Sequence, residues 1–219
     1  QILGKEIDEK YINTNTKLSV GKNRNAKIVF SPIHGTGSTN LLQTLKSAGF
    51  KDIILVDEQM NFDGDFSTLP DKKPNPENLS ANKMAIKKLR QVCADIALTT
   101  DPDADRICVM SLEKNGEVRS FSGNQTAILA ADYLFSKIHN EINKYENLYF
   151  KDRRFICKSF VTTDALNALA KKYDANPNNS FRSFIKFWHA KEDFKPFASD
   201  DLGQSAVLGI DNLFESGLC

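Results

Sequence analysis

Of 219 residues, 41% are hydrophobic and 26% charged, a balance that builds a globular core and excludes a disordered or fibrous chain. Lys and Arg number 29 against 28 Asp and Glu, a formal net charge of +1 that lacks the basic excess of a dedicated nucleic-acid binder. No apolar run approaches the roughly 18 residues of a transmembrane helix, so no membrane partner is expected. Cys93, Cys108, Cys157 and Cys219 show no CxxC spacing, and the first three fall in apolar strand or helix patterns. With no signal-peptide pattern at the start, this usage predicts a reducing, cytoplasmic setting. The chain opens on Gln1 rather than Met, which predicts a processed chain or a piece of a longer one.

Apolar runs alternate with amphipathic ones from Lys27 onward. Lys27 to Phe30 reads as a short strand, and Ser31 to Ser38 is rich in turn formers. Leu41, Leu42 and Leu45 share a helical face, with Gly49 placed to stop the helix. Asp52 to Val56 is a second strand pattern. Asn61 to Asn78 is a polar loop, interrupted by Pro70, Pro74 and Pro76. Ala85, Ile86, Leu89, Val92 and Cys93 give the next helical face. Asp95 to Thr99 and Arg106 to Leu112 read as strands, and Asn115-Gly116 signals a hairpin into Val118 to Phe121.

Gly123 opens a further helix with a face of Ala127, Ile128, Ala131, Leu134, Phe135 and Ile138. After the polar stretch His139 to Glu146, Phe155 to Val161 is a strand pattern. Leu166, Leu169, Ala170 and Tyr173 mark a short helix. From Ala175 to Cys219 no clean period survives, and six of the fifteen Phe residues crowd into the stretch from Phe181 onward. The alternation predicts α/β architecture with mixed, mostly parallel sheets flanked by helices. A boundary near Gly116 to Gly123 divides it into residues 1–116 and 117–219, the second incomplete and atypical after about 175.

The most informative stretch is Asp101-Pro102-Asp103-Ala104-Asp105-Arg106, directly after a strand. Three carboxylates this close repel one another, and a divalent cation with oxygen ligands relieves the repulsion. Arg106 is suited to grip a phosphate oxygen, so metal and arginine together point to phosphoryl chemistry. An EF-hand loop would need Gly at its sixth position and Glu at its twelfth, where this chain has Arg106 and Leu112. A phosphatase with an aspartyl nucleophile expects Thr or Val where Asp105 stands. A solvated acidic turn is the plainer alternative, and three carboxylates ending in Arg after a buried strand favour metal binding over it.

That loop resembles the Mg²⁺ loop, D-x-D-x-D-R, of the α-D-phosphohexomutase family, which includes phosphoglucomutases and phosphomannomutases. Four further stretches resemble the family in the right order: Ser31-Pro32-Ile33-His34-Gly35-Thr36-Gly37, Pro74-Asn75-Pro76-Glu77-Asn78, Ser122-Gly123-Asn124-Gln125 and Lys158-Ser159-Phe160-Val161-Thr162-Thr163-Asp164. The resemblance runs from about Gly4 to Asp174. It implies four α/β domains in a complete member, with this chain supplying the second (residues 1–116) and part of the third (residues 117–219). Domains I and IV of the same polypeptide are then its missing partners.

The activity implied is interconversion of hexose 1-phosphate and hexose 6-phosphate, with glucose phosphate ahead of mannose phosphate. A phosphoserine donates the phosphoryl group, and a hexose 1,6-bisphosphate is intermediate and activator. Asp101, Asp103 and Asp105 are the implied Mg²⁺ ligands, and Arg106 is the residue that steadies the phosphoryl group in transit. Lys158 is implied to reach the phosphate. Phe214-Glu215-Ser216-Gly217 echoes the family's Glu-x-Ser-Gly sugar loop, making Glu215 and Ser216 substrate candidates. The phosphoserine motif Thr-Ala-Ser-His-Asn-Pro is absent here, so the chain alone is expected to be inactive. A non-catalytic truncated module that binds a sugar phosphate or a partner is the rival reading.

Other residues invite weaker readings. Backbone N–H groups at Gly35-Thr36-Gly37-Ser38 are placed to hold a phosphate, although a glycine turn between strand and helix needs no ligand. Histidine suits acid–base work near neutral pH, but the turn around His34 reads as structural. His139 and His189 read as surface residues, and Lys151, Arg153 and Arg154 as a solvated strand entry. Trp188 fits a core or an interface equally well.

Overall fold

Ile28, Val29, Phe30 and Ser31 form the fully buried strand β1 (Ile28–Ser31) at the heart of the computed structural model. The structure describes residues 4–19, 21–140, 154–158, 162–173 and 206–210, with the backbone alone for 138–140, 154–158 and 206–210. β1 pairs in parallel with β2 (Ile53–Leu55) on one side and β3 (Ile96–Thr100) on the other. Beyond β3 the pairing becomes antiparallel, through β4 (Ile107–Leu112) to β5 (Val118–Phe121), giving the order β2-β1-β3-β4-β5. The mixed sheet flanked by helices is as expected, but its pairings are split evenly between parallel and antiparallel rather than mostly parallel. Parallel neighbours need a crossover of a dozen or more residues. The loop from Asp101 to Arg106 and the turn at Gly116 (φ 81°) are too short for one, so β4 and β5 must fold back as hairpins.

Side chains alternate across a strand, and so the β1 residues feed two cores. Ile28 and Phe30 pack with Leu98 and with Leu42 of α2 (Asn40–Ser47). On the opposite face Val29 joins Ala97, Met110 and the residues Ala85 and Leu89 of α3 (Leu79–Gln91). Burying each large apolar side chain in such a cluster is worth about 1.5–3 kcal/mol.

Both helices end in the same way. After α2, the Gly49 N–H donates to the Lys46 carbonyl and the Phe50 N–H to that of Leu45, with Gly49 at φ 97°. This is the Schellman arrangement, in which a left-handed residue lets the chain satisfy the last carbonyls. After α3 the same bonds run from Cys93 to Arg90 and from Ala94 to Leu89, and Cys93 takes the left-handed position at φ 46°. Cys93 therefore lies past the helix and is exposed, contrary to its expected place on the apolar face. Cys108 is buried in β4, as its strand pattern predicts.

A helix the sequence pattern did not reveal, α1 (Lys5–Lys17), precedes the sheet and packs on α2 without burying any residue completely.

The chain divides into two compact units, Gln1–Ser122 and Gly123–Cys219. In the second, α4 (Gly123–Asn140) packs Ala131 and Phe135 against Leu166, Leu169 and Ala170 of α5 (Ala165–Tyr173). The Tyr173 hydroxyl and the Lys172 ammonium both donate to Asp132 Oδ1, at 2.8 and 2.7 Å. β6 (Arg154–Lys158) pairs antiparallel with β7 (Ala206–Ile210), so a strand occurs where no period was legible. His139 and Ile138 are described by backbone alone; Lys151, Arg153, Trp188, His189 and Cys219 lie outside the described residues. Among the described residues no helix is long and apolar enough to cross a membrane.

Candidate metal centre

β3 delivers its last residues, Thr99 and Thr100, fully buried, and the chain must then reverse to enter β4. Asn82 of α3 fixes the strand end. Its side-chain oxygen accepts from the Thr99 hydroxyl at 2.7 Å and its amide donates to the Pro76 carbonyl at 2.6 Å. The reversal is a tight turn in which the Ala104 N–H donates to the Asp101 carbonyl at 3.1 Å and Ala104 itself is left-handed, at φ 61°.

That turn brings oxygen atoms of Asp101, Asp103 and Asp105 within 4.8 Å of one another. Asp101 is wholly buried, whereas Asp103 and Asp105 are exposed. Asp101 is held at both oxygens by Arg106: the backbone N–H donates to Oδ1 at 3.0 Å and the guanidinium Nε–H to Oδ2 at 2.7 Å. The same Nε lies 3.5 Å from Asp105 Oδ1.

The carboxyls of buried Asp101 and exposed Asp105 shift in opposite directions. Burial works against the charge on Asp101, but the Arg106 N–H, a hydrogen bond from Asp105 and the guanidinium prevail and hold its carboxyl below the usual range. Asp105 is pushed up to about 6, first by burial, then by its hydrogen bond to Asp101 and the charges of Asp101 and Asp103. The cluster thus carries more negative charge than Arg106 alone offsets. Three carboxylate oxygens converging on one point are the donor set a hard divalent cation such as Mg²⁺ takes, with water or phosphate oxygens filling the remaining positions. The residues present fit that ion.

The turn after β1 supports the loop. The Pro102 carbonyl accepts from the Thr36 N–H at 2.7 Å and from the Thr36 hydroxyl at 3.1 Å. The N–H groups of Gly35, Thr36 and Ser38 go to the carbonyls of Pro32, Pro102 and Gly35, which commits them within the protein rather than to a phosphate. A Cβ atom on Gly37 would stand 2.6 Å from the Thr100 hydroxyl, so the second glycine is needed for the approach to β3. His34 is buried, with both ring nitrogens hydrogen-bonded inside the protein.

Beside the loop opens a cleft of about 290 Å³, lined among others by Tyr11, Asn15, Asn40, Asp103, Asp105 and Arg106. Tyr11 and Asn15 belong to α1 and escaped the sequence reading; the i, i+4 spacing of Ile7 and Tyr11 was the available signal. Of the residues singled out for chemistry, Asp101, Asp103, Asp105 and Arg106 come together. Lys158 ends β6 in the second unit and is described by backbone alone, while Glu215 and Ser216 lie outside the described residues.

Comparison with known proteins points one way. Residues 9–114 match the family model described as phosphoglucomutase/phosphomannomutase, alpha/beta/alpha domain II. A phosphomannomutase of Mycoplasmoides pirum is 36% identical over 157 residues, covering 72% of this chain and 26% of that protein. A phosphoglucomutase of Staphylococcus haemolyticus is 32% identical over 174 residues, 78% of this chain and 29% of that one. A human glucose 1,6-bisphosphate synthase is 35% identical over 147 residues, 67% of this chain and 23% of that one. The chain therefore spans about a quarter of the length of these curated relatives. A crystal structure of a phosphoglucomutase/phosphomannomutase family protein from Burkholderia thailandensis superposes with a TM-score of 0.55 at 20% identity. It covers 76% of this chain and 31% of that one, and the fold is shared.

Proposed function

This chain belongs to the phosphoglucomutase/phosphomannomutase family through residues 9–114, and on that premise we propose that it is the metal-binding part of a phosphohexomutase. The observation that carries the reading is the convergence of the Asp101, Asp103 and Asp105 carboxylates beside Arg106, at the mouth of an open cleft. Those three carboxylates would hold Mg²⁺, which when bound offsets the charge of a phosphoryl group in transfer.

The chain's own residues bind and orient. Asp101, sealed at the strand end, fixes the Arg106 guanidinium through Nε. Arg106 is thereby presented as a planar donor for phosphoryl oxygens, a task that suits guanidinium better than ammonium. Asp103 and Asp105, exposed on the loop, supply the charge that draws the cation.

The proposal extends to the whole polypeptide. A phosphoserine outside this chain donates the phosphoryl group, and a hexose 1,6-bisphosphate is the intermediate. The name of the human relative, glucose 1,6-bisphosphate synthase, supports that intermediate. Relatives named for glucose and for mannose both match, and we take glucose phosphate as the preferred substrate. In this reading residues 1–116 are the second domain of the enzyme and 117–219 the third, Lys158, Glu215 and Ser216 are its substrate-binding residues, and the enzyme works in the cytoplasm. Domains I and IV complete the protein.

The deciding experiment is a titration of the purified chain with Mn²⁺ as a paramagnetic stand-in for Mg²⁺, followed by electron paramagnetic resonance. One bound ion, displaced by Mg²⁺ and lost in Asp103→Asn, is expected. Binding that survives Asp103→Asn unchanged would sink the assignment.

A further inference from the structure

Behind the metal loop lies a chain of polar side chains that no part of the cation site uses. Ser31 and Gln59 are fully buried, His34 is 6% exposed and Thr68 is half-buried. The Ser31 hydroxyl donates to Gln59 Oε1 at 2.7 Å and accepts from the Ile33 N–H at 3.1 Å. The Gln59 amide donates to the Thr68 hydroxyl oxygen at 3.1 Å. That hydroxyl lies 2.8 Å from His34 Nε2, and His34 Nδ1 lies 2.9 Å from the Asn61 carbonyl. A carbonyl only accepts, so Nδ1 carries the hydrogen. With Nε2 accepting from Thr68, each link from Ser31 to Asn61 then pairs one hydrogen with one lone pair.

The network surrounds a strained backbone. Ile33 and His34 are consecutive non-glycine residues at φ 44° and 65°. Ile33 is β-branched, and such a residue enters the left-handed region only where its surroundings over-determine it. Here they do: the His34 N–H donates to the Gln59 carbonyl at 2.9 Å, its ring is clamped at both ends, and the Ile33 side chain is sealed with Leu69 and Ala81. Two residues further on, Thr36 grips the Pro102 carbonyl with two donors. Pro102 sits between Asp101 and Asp103.

We propose that His34 is a positioning residue for the cation site: its imidazole, clamped between Asn61 and Thr68, holds the strained turn so that Thr36 fixes Pro102 and with it the spacing of Asp101 and Asp103. This rests on the metal reading above. His34 touches no reacting atom, and its effect passes through Thr36. Partners one layer behind the ligands commonly set metal affinity in this way.

The test uses the full 219-residue chain as wild type, Thr68→Val and Thr68→Ser. Thr68→Val removes the hydroxyl that ends the clamp and keeps the shape, while Thr68→Ser keeps the hydroxyl. Three readouts are taken: Mn²⁺ affinity, hydrogen exchange of the Thr36 amide against that of Ala97 in β3, and the nitrogen NMR spectrum of the His34 ring. In Thr68→Val the Thr36 amide is expected to exchange faster with Ala97 unmoved, and Mn²⁺ affinity to fall about tenfold. The wild-type ring is expected to show hydrogen on Nδ1, and Thr68→Ser to restore both protection and affinity. Thr36 protection that ignores Thr68, or falls only in step with Ala97, while wild type binds Mn²⁺, overturns the proposal alone. A wild-type chain that binds no Mn²⁺ overturns the metal reading and the role assigned to His34 with it.

Discussion

Gly35 and Pro102 meet backbone against backbone, so that a Cβ atom on Gly35 would overlap the Pro102 Cα and carbonyl. Gly35 has φ −109° and ψ −173°, an extended conformation open to any residue. Glycine is required for space, not for backbone freedom. Gly35→Ala is therefore expected to push the metal loop away from the Thr36 donors, weakening Mn²⁺ binding and destabilising the fold by about 1–3 kcal/mol. Urea unfolding together with a Mn²⁺ titration checks both effects. Unchanged binding would show that the loop keeps its shape without the turn.

Asn82 is the second support of the loop, and its loss leaves the Thr99 hydroxyl and the Pro76 carbonyl without their partner. Asn82→Ala is expected to cost about 1–3 kcal/mol for each buried group left unpaired. Denaturant unfolding of the variant reads the loss.

Asp105 supplies a pH dependence. Its carboxyl, pushed up to about 6 in the folded chain, titrates near 4 when unfolded. A raised folded value favours the protonated fold, so this group's contribution is fully present below about 4 and is lost as pH rises through about 6. Asp101, held below the usual range, acts with opposite sign and in a lower window, losing its contribution as pH falls. Between pH 4 and 7 the metal-free chain is thus expected to lose a stabilising contribution that the Asp105→Asn variant does not lose. Melting temperatures of both across that range measure the difference.

Cys93 closes α3 in a left-handed conformation that glycine adopts freely. Cys93→Gly is expected to raise stability by about 0.5–1 kcal/mol, the relieved strain outweighing the added entropy of the unfolded chain. A higher urea midpoint with unchanged slope is the result sought.

Much of this molecule is legible in its sequence, for identifiable reasons. The strands around Phe30 and Leu98 announce themselves because their side chains are buried on both faces, the strand around Met110 because buried Cys108 and Met110 alternate with more exposed neighbours, and Asn115-Gly116 names its own turn. The carboxylates of Asp101, Asp103 and Asp105 read as a cluster because alternate residues on one tight turn have nowhere else to go. α1 is not legible, since a helix that buries no residue carries no apolar stripe beyond the lone i, i+4 pair of Ile7 and Tyr11. Cys93 misleads because it continues the apolar spacing of α3 one step beyond the last helical turn. The partners of His34 come from Asn61 and Thr68, in a stretch whose composition says only that it is polar. Buried polar networks depend on which loops tertiary structure brings together, and no local pattern records that.

The parallel pairing of β1 with β3 has a consequence for anyone who would transplant this site. Neighbouring strands that run the same way release their chains at the same edge, so the segment 31–37 and the segment 101–106 are one cassette written in two places. A lengthened turn after β1 is felt as a displaced carboxylate after β3. A graft that carries the acidic loop without its companion turn would bring the charges and leave behind the ruler that spaces them.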